Sequence, residues 1–351
     1  MAQQGGCPAG IRVNVWRSAA RALIYRAPDE RDRCPACGSR RLSDLDLLAL
    51  RYPYRRRIGF VDVCDECGVV FSNPLPSMES LARFYSPDGP WRPAGLGPSG
   101  LVGSEATHGR SWTRPFDAIR DELDVSAPAP GQRVLDYGCG TGKLLDAMQA
   151  RGWETWGLEP AIDQAFTRHG RLTAIPGEPA FDLIVLNHVL EHVTAPFDLL
   201  RQLAGACRPG GFLFISVPRL DTLPVHRDYK YVINGRAHVM AYTWPCLQGL
   251  LARSGWGVAA PPPDRVAKGR GRMTFSRLRV IARLGATRAN LPSAPAQAAR
   301  AAIHQYHGGI PGRPWLERLG LYRLAARRSE ARRQRDARGR RLAKAAAEIV
   351  R

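Results

Sequence analysis

Short apolar runs separated by polar or glycine-rich turns fill the middle of the chain, and helical periodicity follows several of them. The run at 134–135 ends at Asp136, and apolar residues then recur at helical spacing over 144–148. A second run covers 154–158, and a third, at 181–188, is continuous enough to indicate a buried parallel strand. This alternation predicts a doubly wound α/β sheet with its ligand crevice at the carboxyl ends of the strands.

Further helices and strands surround this core, and only a short helix and a short strand fit between 159 and 181. The pattern predicts helices at 112–125, 162–169 and 243–255 and strands at 172–175, 212–217, 257–260 and 277–284.

Three glycines at alternate positions, Gly138, Gly140 and Gly142, form the turn after the first strand. A dinucleotide fingerprint needs G-x-G-x-x-G, but Lys143 stands where its last glycine belongs. A phosphate-binding P-loop needs serine or threonine after the lysine, and Leu144 stands there. Both nucleotide-binding motifs are therefore disfavoured, while an ordinary glycine-rich turn between strand and helix stays open as an alternative.

The run R-V-L-D-Y-G-C-G-T-G-K-L-L, residues 133–145, resembles motif I of the class I S-adenosylmethionine-dependent methyltransferases. Val189-Leu-Glu-His-Val193 and Arg208-Pro-Gly-Gly211 follow in the order of that family's later motifs. The resemblance implies a Rossmann-like sheet with S-adenosylmethionine as cofactor. The cofactor contacts that it implies are Asp136, Gly138, Gly140, Gly142, Glu159 and Asn187.

Glu159 ends the second strand, where an acid is positioned to accept hydrogen bonds from ribose hydroxyls. A strand-end acid that is merely solvated is the alternative. The acid that reaches the adenine amino group in this family has no clear counterpart here, and Glu178 is the nearest candidate. The sequence therefore leaves the adenine end of the pocket open.

Two C-x-x-C pairs, each followed by glycine, precede the sheet. Their members are Cys34, Cys37, Cys64 and Cys67. Four thiolates suffice for one tetrahedral Zn²⁺, whereas a redox site would need only one pair. The run C-x-x-C-G-V-V-F-S-N-P-L-P at 64–76, leading to Phe84-Tyr85, resembles the zinc-ribbon leader of a methyltransferase subgroup often associated with glycan or natural-product pathways.

Histidines are the candidates for a general base, because imidazole titrates near neutral pH and can accept a proton from a hydroxyl or amine. His192, beside Glu191, is favoured because the family resemblance places this pair near the acceptor. His188 at the same strand end and His238 in the polar insertion 221–242 are the other candidates. The alternatives are that His192 only caps and packs the next helix, or that Glu191 and the histidines bind a metal, as in some methyltransferases that bind Mg²⁺.

The net charge of +20 on 351 residues is concentrated at the end of the chain, since residues 265–351 carry 22 basic and 4 acidic residues, or +18. This tail is interpreted as a solvated extension, or as a contact to an anionic surface or RNA. The chain shows no signal-peptide pattern and no apolar run of about 18 residues, so a cytoplasmic protein is predicted.

The sequence thus predicts a zinc ribbon at 30–85, a linker at 86–109, a methyltransferase domain at 110–284 and a basic helical or disordered extension at 285–351. The predicted function is methyl transfer from S-adenosylmethionine to a small-molecule or glycan acceptor, with specificity from the zinc module, the linker and the insertion. An RNA methyltransferase that uses the zinc ribbon and tail, and a non-catalytic module that only binds the cofactor, are the alternatives.

Overall fold

A computed structural model describes residues 32–49, 58–86, 119, 123, 128–159, 169–223, 232–235, 237–261, 277–285 and 294–307. The predicted linker after residue 86 and the arginine-rich end of the tail lie outside these residues, as do most of the predicted helices 112–125 and 162–169. Within the described part, no helix combines the length and the apolar character needed to cross a membrane.

Eleven strands and five helices follow one another along the described part of the chain. The strands are β1 Leu42–Ala49, β2 Ile58–Cys64, β3 Val70–Asn73, β4 Arg133–Tyr137, β5 Glu154–Leu158, β6 Gly170–Arg171, β7 Phe181–Asn187, β8 Cys207–Pro218, β9 Met240–Ala241, β10 Trp256–Ala260 and β11 Arg277–Leu284. The helices are α1 Met78–Tyr85, α2 Lys143–Gln149, α3 Pro196–Ala206, α4 Trp244–Arg253 and α5 Pro295–His307, and short 3-10 turns cover Leu190–His192 and Leu220–Thr222.

The larger sheet has the order β10-β11-β8-β7-β4-β5-β6. Strands β8, β7, β4, β5 and β6 are parallel, and β11 is antiparallel to both of its neighbours. From β4 the chain proceeds to one edge through β5 and β6, and from β7 it proceeds towards the other through β8. The order therefore reverses between β4 and β7, which is the switch point where such sheets bind ligands. The doubly wound α/β class is confirmed.

The third strand differs from its prediction at 172–175, because the pairing residues are Gly170 and Arg171. A Cβ atom on Gly170 would lie 2.3 Å from the Trp156 ring. The Trp156 ring lies over Gly170, so a residue with a side chain could not pair with β5 at this position.

Alternate residues of β7 pack on the two opposite faces of the sheet, as expected of a strand that is covered on both sides. Leu183 and Val185 pack with α2 residues such as Leu145 and Met148. Ile184 and its neighbours on the other face join a cluster that contains α3, α4 and the cysteines of the N-terminal segment. The core of the N-terminal segment is thus continuous with one layer of the larger sheet.

The smaller sheet, β1-β2-β3-β9, is antiparallel and joins distant parts of the chain. Val70 and Phe71 of β3 pair with Ala241 and Met240 of β9, which comes from the insertion after β8. Residues 27–302 form one compact unit. The insertion that was predicted to shape the acceptor site therefore also completes the cysteine-containing sheet.

Helix α5 packs against the second cysteine pair. A Cβ atom on Gly68 would lie 2.8 Å from backbone atoms of Pro295, at the start of the helix. Arg300, one turn further on, donates to the Ser43 hydroxyl at 2.9 Å and forms an ion pair with Asp65. The glycines after the two cysteine pairs thus differ in their surroundings. Among the described residues, none apart from the chain neighbours of Gly38 has an atom within 4 Å of its Cβ position.

Gly68→Ala and Gly38→Ala form a matched pair that tests this packing. Both glycines have a left-handed φ, +77° and +72°, so each alanine should cost about 1–2 kcal/mol in backbone strain. Only Gly68→Ala adds the clash with Pro295, so it should lower the free energy of unfolding clearly more than Gly38→Ala. Urea denaturation of both variants measures the difference, and equal losses would show that α5 does not pack on this glycine.

Candidate active site

The loop after β4 lies at the switch point and packs against the turn after β7. Gly138, Gly140 and Gly142 have φ values of 77°, 55° and 75°, all left-handed. A Cβ atom on Gly138 would lie 2.6 Å from the Cγ2 atom of Val189. Only glycine fits there, because the backbone needs its conformation and the neighbouring side chain leaves no room.

Two acids stand at the carboxyl ends of β4 and β5. Asp136 is 4% exposed, and burial, reinforced by the charge of Glu159, raises the pKa of its carboxyl to about 7. The Oε2 atom of Glu159 accepts a hydrogen bond of 3.1 Å from the backbone N–H of Gly140. This bond fixes the Glu159 carboxylate against the glycine loop.

Two polar side-chain atoms of this region are buried without a hydrogen-bond partner among the described residues. They are Thr141 Oγ1, in the glycine loop, and Asn187 Oδ1, at the end of β7. Buried polar atoms are nearly always hydrogen-bonded in proteins, so orphaned ones need a reason. Together with the two acids and the glycine that excludes a Cβ, they fit a crevice built for a polar ligand with hydroxyl and amino groups.

The turn after β7 carries a buried carboxylate enclosed by histidines. Glu191 is 1% exposed, and its Oε1 atom lies 2.9 Å from His188 Nδ1 and 4.0 Å from His192 Nε2. His188 has a φ of +58°, unusual for a residue with a side chain. The ring of His238, from the insertion, meets that of His192 edge to face with centroids 4.8 Å apart. The structure thus brings all three candidate histidines to one place.

A further side chain reaches this cluster from the N-terminal segment. The hydroxyl of Tyr85, the last residue of α1, lies 2.7 Å from His192 Nδ1. Burial, then the charges of Glu191 and Glu159, raise the pKa of this phenol well above its usual value. The hydroxyl therefore contacts His192 and is close enough to Glu191 and Glu159 for their charges to act on it.

The buried pair Glu191 and His192 has a defined charge at neutral pH. Burial opposes ionisation of Glu191, but the His188 hydrogen bond and the charges of the three histidines outweigh it and lower its pKa to about 2. Burial lowers the pKa of His192 to about 4, against the opposing effect of Glu191. At pH 7 the carboxylate is ionised and His192 is neutral, the form in which imidazole accepts a proton.

The four cysteines of the N-terminal segment form a separate cluster. Their Sγ atoms all lie within 4.8 Å of one another, with Cys34–Cys67 at 3.6 Å and Cys37–Cys64 at 3.5 Å. A tetrahedral site with Zn–S bonds of about 2.3 Å places sulfurs about 3.8 Å apart. The backbone N–H of Ala36 also donates to Cys34 Sγ at 3.4 Å. These sulfurs can hold one tetrahedral metal ion.

Residues 111–259 match a family model described as a methyltransferase domain. These residues therefore form a methyltransferase domain. The ubiquinone biosynthesis O-methyltransferase of Burkholderia thailandensis is 29% identical over 112 residues, which cover 27% of this chain and 47% of the relative. The tRNA U34 carboxymethyltransferase of Methylococcus capsulatus is 30% identical over 219 residues, covering 54% and 64%.

The chain spans about half the length of the first of these relatives. Among solved structures, an S-adenosylmethionine-dependent methyltransferase from Mesorhizobium loti is 20% identical, with a TM-score of 0.38 over 48% of this chain and 96% of that one. The methyltransferase domain thus has relatives of different named activities.

Sequence reasoning placed the glycines, Glu159 and the histidines of the methyltransferase domain but missed Tyr85 as a member of the cluster. Tyr85 precedes His192 by 107 residues, and the only signal was its place at the end of the zinc-ribbon-like leader. Glu178, the nearest candidate for an adenine contact, is exposed and precedes β7, so it lies at the strand end opposite the crevice. The structure offers no support for that role.

The cysteine cluster predicts a metal-dependent fold of the N-terminal segment. The purified protein should contain one zinc per chain, and Cys64→Ser with Cys67→Ser should lose it, because two thiolates cannot close a tetrahedral site. Elemental analysis measures the zinc content. Cys207→Ser, a buried cysteine outside the cluster, is the control and should keep the metal. A zinc-free wild-type protein with four reactive thiols would contradict the prediction.

Proposed function

We propose that this protein transfers a methyl group from S-adenosylmethionine to a small-molecule or glycan acceptor. The observation that carries the proposal is the meeting of two features at one switch point. The first is the glycine loop, with the Glu159 carboxylate bonded to Gly140, and the second is His192 after β7, with its Nε2 atom 4.0 Å from the buried Glu191 carboxylate. The first suits an adenosyl ligand, and the second suits removal of a proton from an acceptor.

The cofactor residues fit the proposed ligand. Glu159 is a candidate acceptor for the ribose hydroxyls, and Asn187 Oδ1 and Thr141 Oγ1 are buried acceptors that a polar ligand would satisfy. When bound, S-adenosylmethionine supplies a methyl group on a positively charged sulfonium. The protein's own part is to orient the acceptor in line with that methyl and to remove its proton.

His192 is the proposed base and Glu191 its electrostatic partner. Neutral imidazole accepts the acceptor's proton, and the buried Glu191 carboxylate then stabilises the imidazolium that results. The contact of His188 with Glu191 Oε1 at 2.9 Å keeps the carboxylate in place. Four cysteine thiolates leave no open position for a substrate, so zinc in that cluster is proposed to be structural.

RNA is the alternative acceptor, because one relative is a tRNA-modifying enzyme by name and this chain carries a net charge of +20. The two acceptor classes separate experimentally. The protein is incubated with S-adenosylmethionine labelled in the methyl group and either the small-molecule fraction or the total RNA of its host cell. We expect label in the small-molecule fraction. Label in RNA, with binding that weakens steeply as salt rises, would overturn the acceptor assignment.

Cofactor binding should depend on pH through Asp136. S-adenosylmethionine carries a net positive charge at neutral pH, so it favours the ionised carboxylate, whose pKa in the free protein is raised to about 7. Affinity should therefore rise as pH increases from 5 to 7 and level off above, with a proton released on binding below pH 7. Calorimetry in buffers of different ionisation enthalpy measures this release. Asp136→Asn should abolish it, and an unchanged release in that variant would exclude Asp136 as its source.

The general base is tested by His192→Asn. A base contributes about 10²–10⁴-fold to turnover, so the variant should lose that factor while its affinity for S-adenosylmethionine stays within about twofold. His304→Asn, an exposed histidine on α5, is the matched control and should be silent. Near-normal turnover in His192→Asn, together with loss in His238→Asn, would move the base to the insertion.

A further inference from the structure

The Tyr85 hydroxyl occupies the Nδ1 side of the proposed base, His192. Its Nδ1 atom faces the Tyr85 hydroxyl at 2.7 Å, and its Nε2 atom lies 4.0 Å from Glu191 Oε1. The His238 ring also packs on the imidazole, with its plane nearly perpendicular and the ring centroids 4.8 Å apart. A molecule that approaches His192 along Nδ1 therefore meets Tyr85 first.

Tyr85 lies against the histidine cluster and within electrostatic reach of the cofactor crevice. Its phenol feels the charge of Glu159, the acid proposed to bind the ribose, as well as that of Glu191 in the histidine cluster. Its ring meets Phe84 edge to face at 4.9 Å and His192 at 6.1 Å, so packing on both sides fixes its direction. The hydroxyl is thus held against the proposed base.

We propose that Tyr85 is a catalytic residue that contacts the acceptor and relays its proton to His192. The inference rests on the proposed function and names the group through which the base acts. The acceptor's hydroxyl or amine proton moves to the phenol oxygen of Tyr85, while the phenol's own proton moves to His192 Nδ1. The electrons of the acceptor's broken bond form the bond to the methyl carbon, and those of the sulfur–methyl bond stay on sulfur.

The relay explains why two groups are needed. Burial and the two acidic charges keep the phenol protonated at neutral pH, so Tyr85 alone is a poor base. His192 is neutral and takes the phenol's proton at the moment at which the phenol accepts another. The buried carboxylate of Glu191 then faces the imidazolium, and no phenolate has to be formed in advance.

The contact itself is tested without any acceptor. In protein labelled with ¹⁵N-histidine, the His192 signals, assigned with His192→Asn, should show an unprotonated Nδ1 that accepts a hydrogen bond. Tyr85→Phe keeps the ring but removes the donor, so the Nδ1 resonance should shift and the pKa of His192 should rise. Ser86→Ala removes a hydroxyl at the same helix end, one that bonds Arg83, and should leave both unchanged. An unchanged His192 spectrum in Tyr85→Phe would overturn the proposal.

The catalytic role is then tested with labelled S-adenosylmethionine and the small-molecule fraction of the host cell as the probe. Tyr85→Phe should lower turnover by about 10²–10⁴-fold with unchanged cofactor affinity, and Tyr85→Phe combined with His192→Asn should lose little more than either alone. Such non-additivity is expected of residues that act in series, and a packing role would not produce it.

Several outcomes would contradict the relay, and they differ from those that contradict the proposed function. Full turnover in Tyr85→Phe with loss in His192→Asn would overturn the relay alone. Turnover that is lost in a chelator and restored by Mg²⁺ or Mn²⁺ would assign Glu191, His192 and His238 to a metal, since their ligand atoms lie within 4.8 Å of one another. No transfer of label by the wild-type protein to either fraction would contradict the proposed function, and the relay with it.

Discussion

The buried charge of Glu191 is the constraint on which the rest of the site depends. An ionised carboxylate that is withdrawn from water is costly unless hydrogen bonds and opposite charges compensate it. His188 supplies the hydrogen bond at 2.9 Å, at the expense of a left-handed backbone conformation with φ of +58°. His192 and His238 also lie beside the carboxylate, and the ligand atoms of the three residues are within 4.8 Å of one another. Removing any one of these side chains would change how well the Glu191 carboxylate is stabilised, and this would in turn change the protonation of the remaining side chains.

The same turn holds three distant parts of the chain together. The backbone carbonyl of Glu191 accepts from Val239 N–H at 2.9 Å, and the Tyr242 hydroxyl donates to the carbonyl of Leu190 at 3.0 Å. Between Val239 and Tyr242, β9 pairs with β3 of the cysteine-containing sheet. The folding of the N-terminal segment is therefore linked to the position of the histidines. A metal ion in the cysteine cluster would stabilise the site through this link without taking part in the chemistry.

The doubly wound sheet and the glycine loop could be predicted from the sequence because each rests on local information. The continuous apolar run at 181–187 allows only a strand that is covered on both faces, and the spacing of Gly138, Gly140 and Gly142 separates this loop from dinucleotide and phosphate loops. The pairing of β6 could not be predicted, since it depends on where the Trp156 ring lies over Gly170. Hydrophobic pattern carries no information on that packing.

Tyr85 was missed for the same physical reason. A tyrosine at the end of an amphipathic helix has no local feature that distinguishes a catalytic phenol from a packing residue. What distinguishes it is the tertiary contact with His192, which forms only because α1 follows a strand that shares a sheet with β9. The proposed acceptor site therefore draws on the N-terminal segment, the turn after β7 and the insertion, whereas the proposed cofactor crevice is built by strands of one sheet. This difference explains why the cofactor class follows from short motifs, while the identity of the acceptor depends on contacts between segments far apart in the chain.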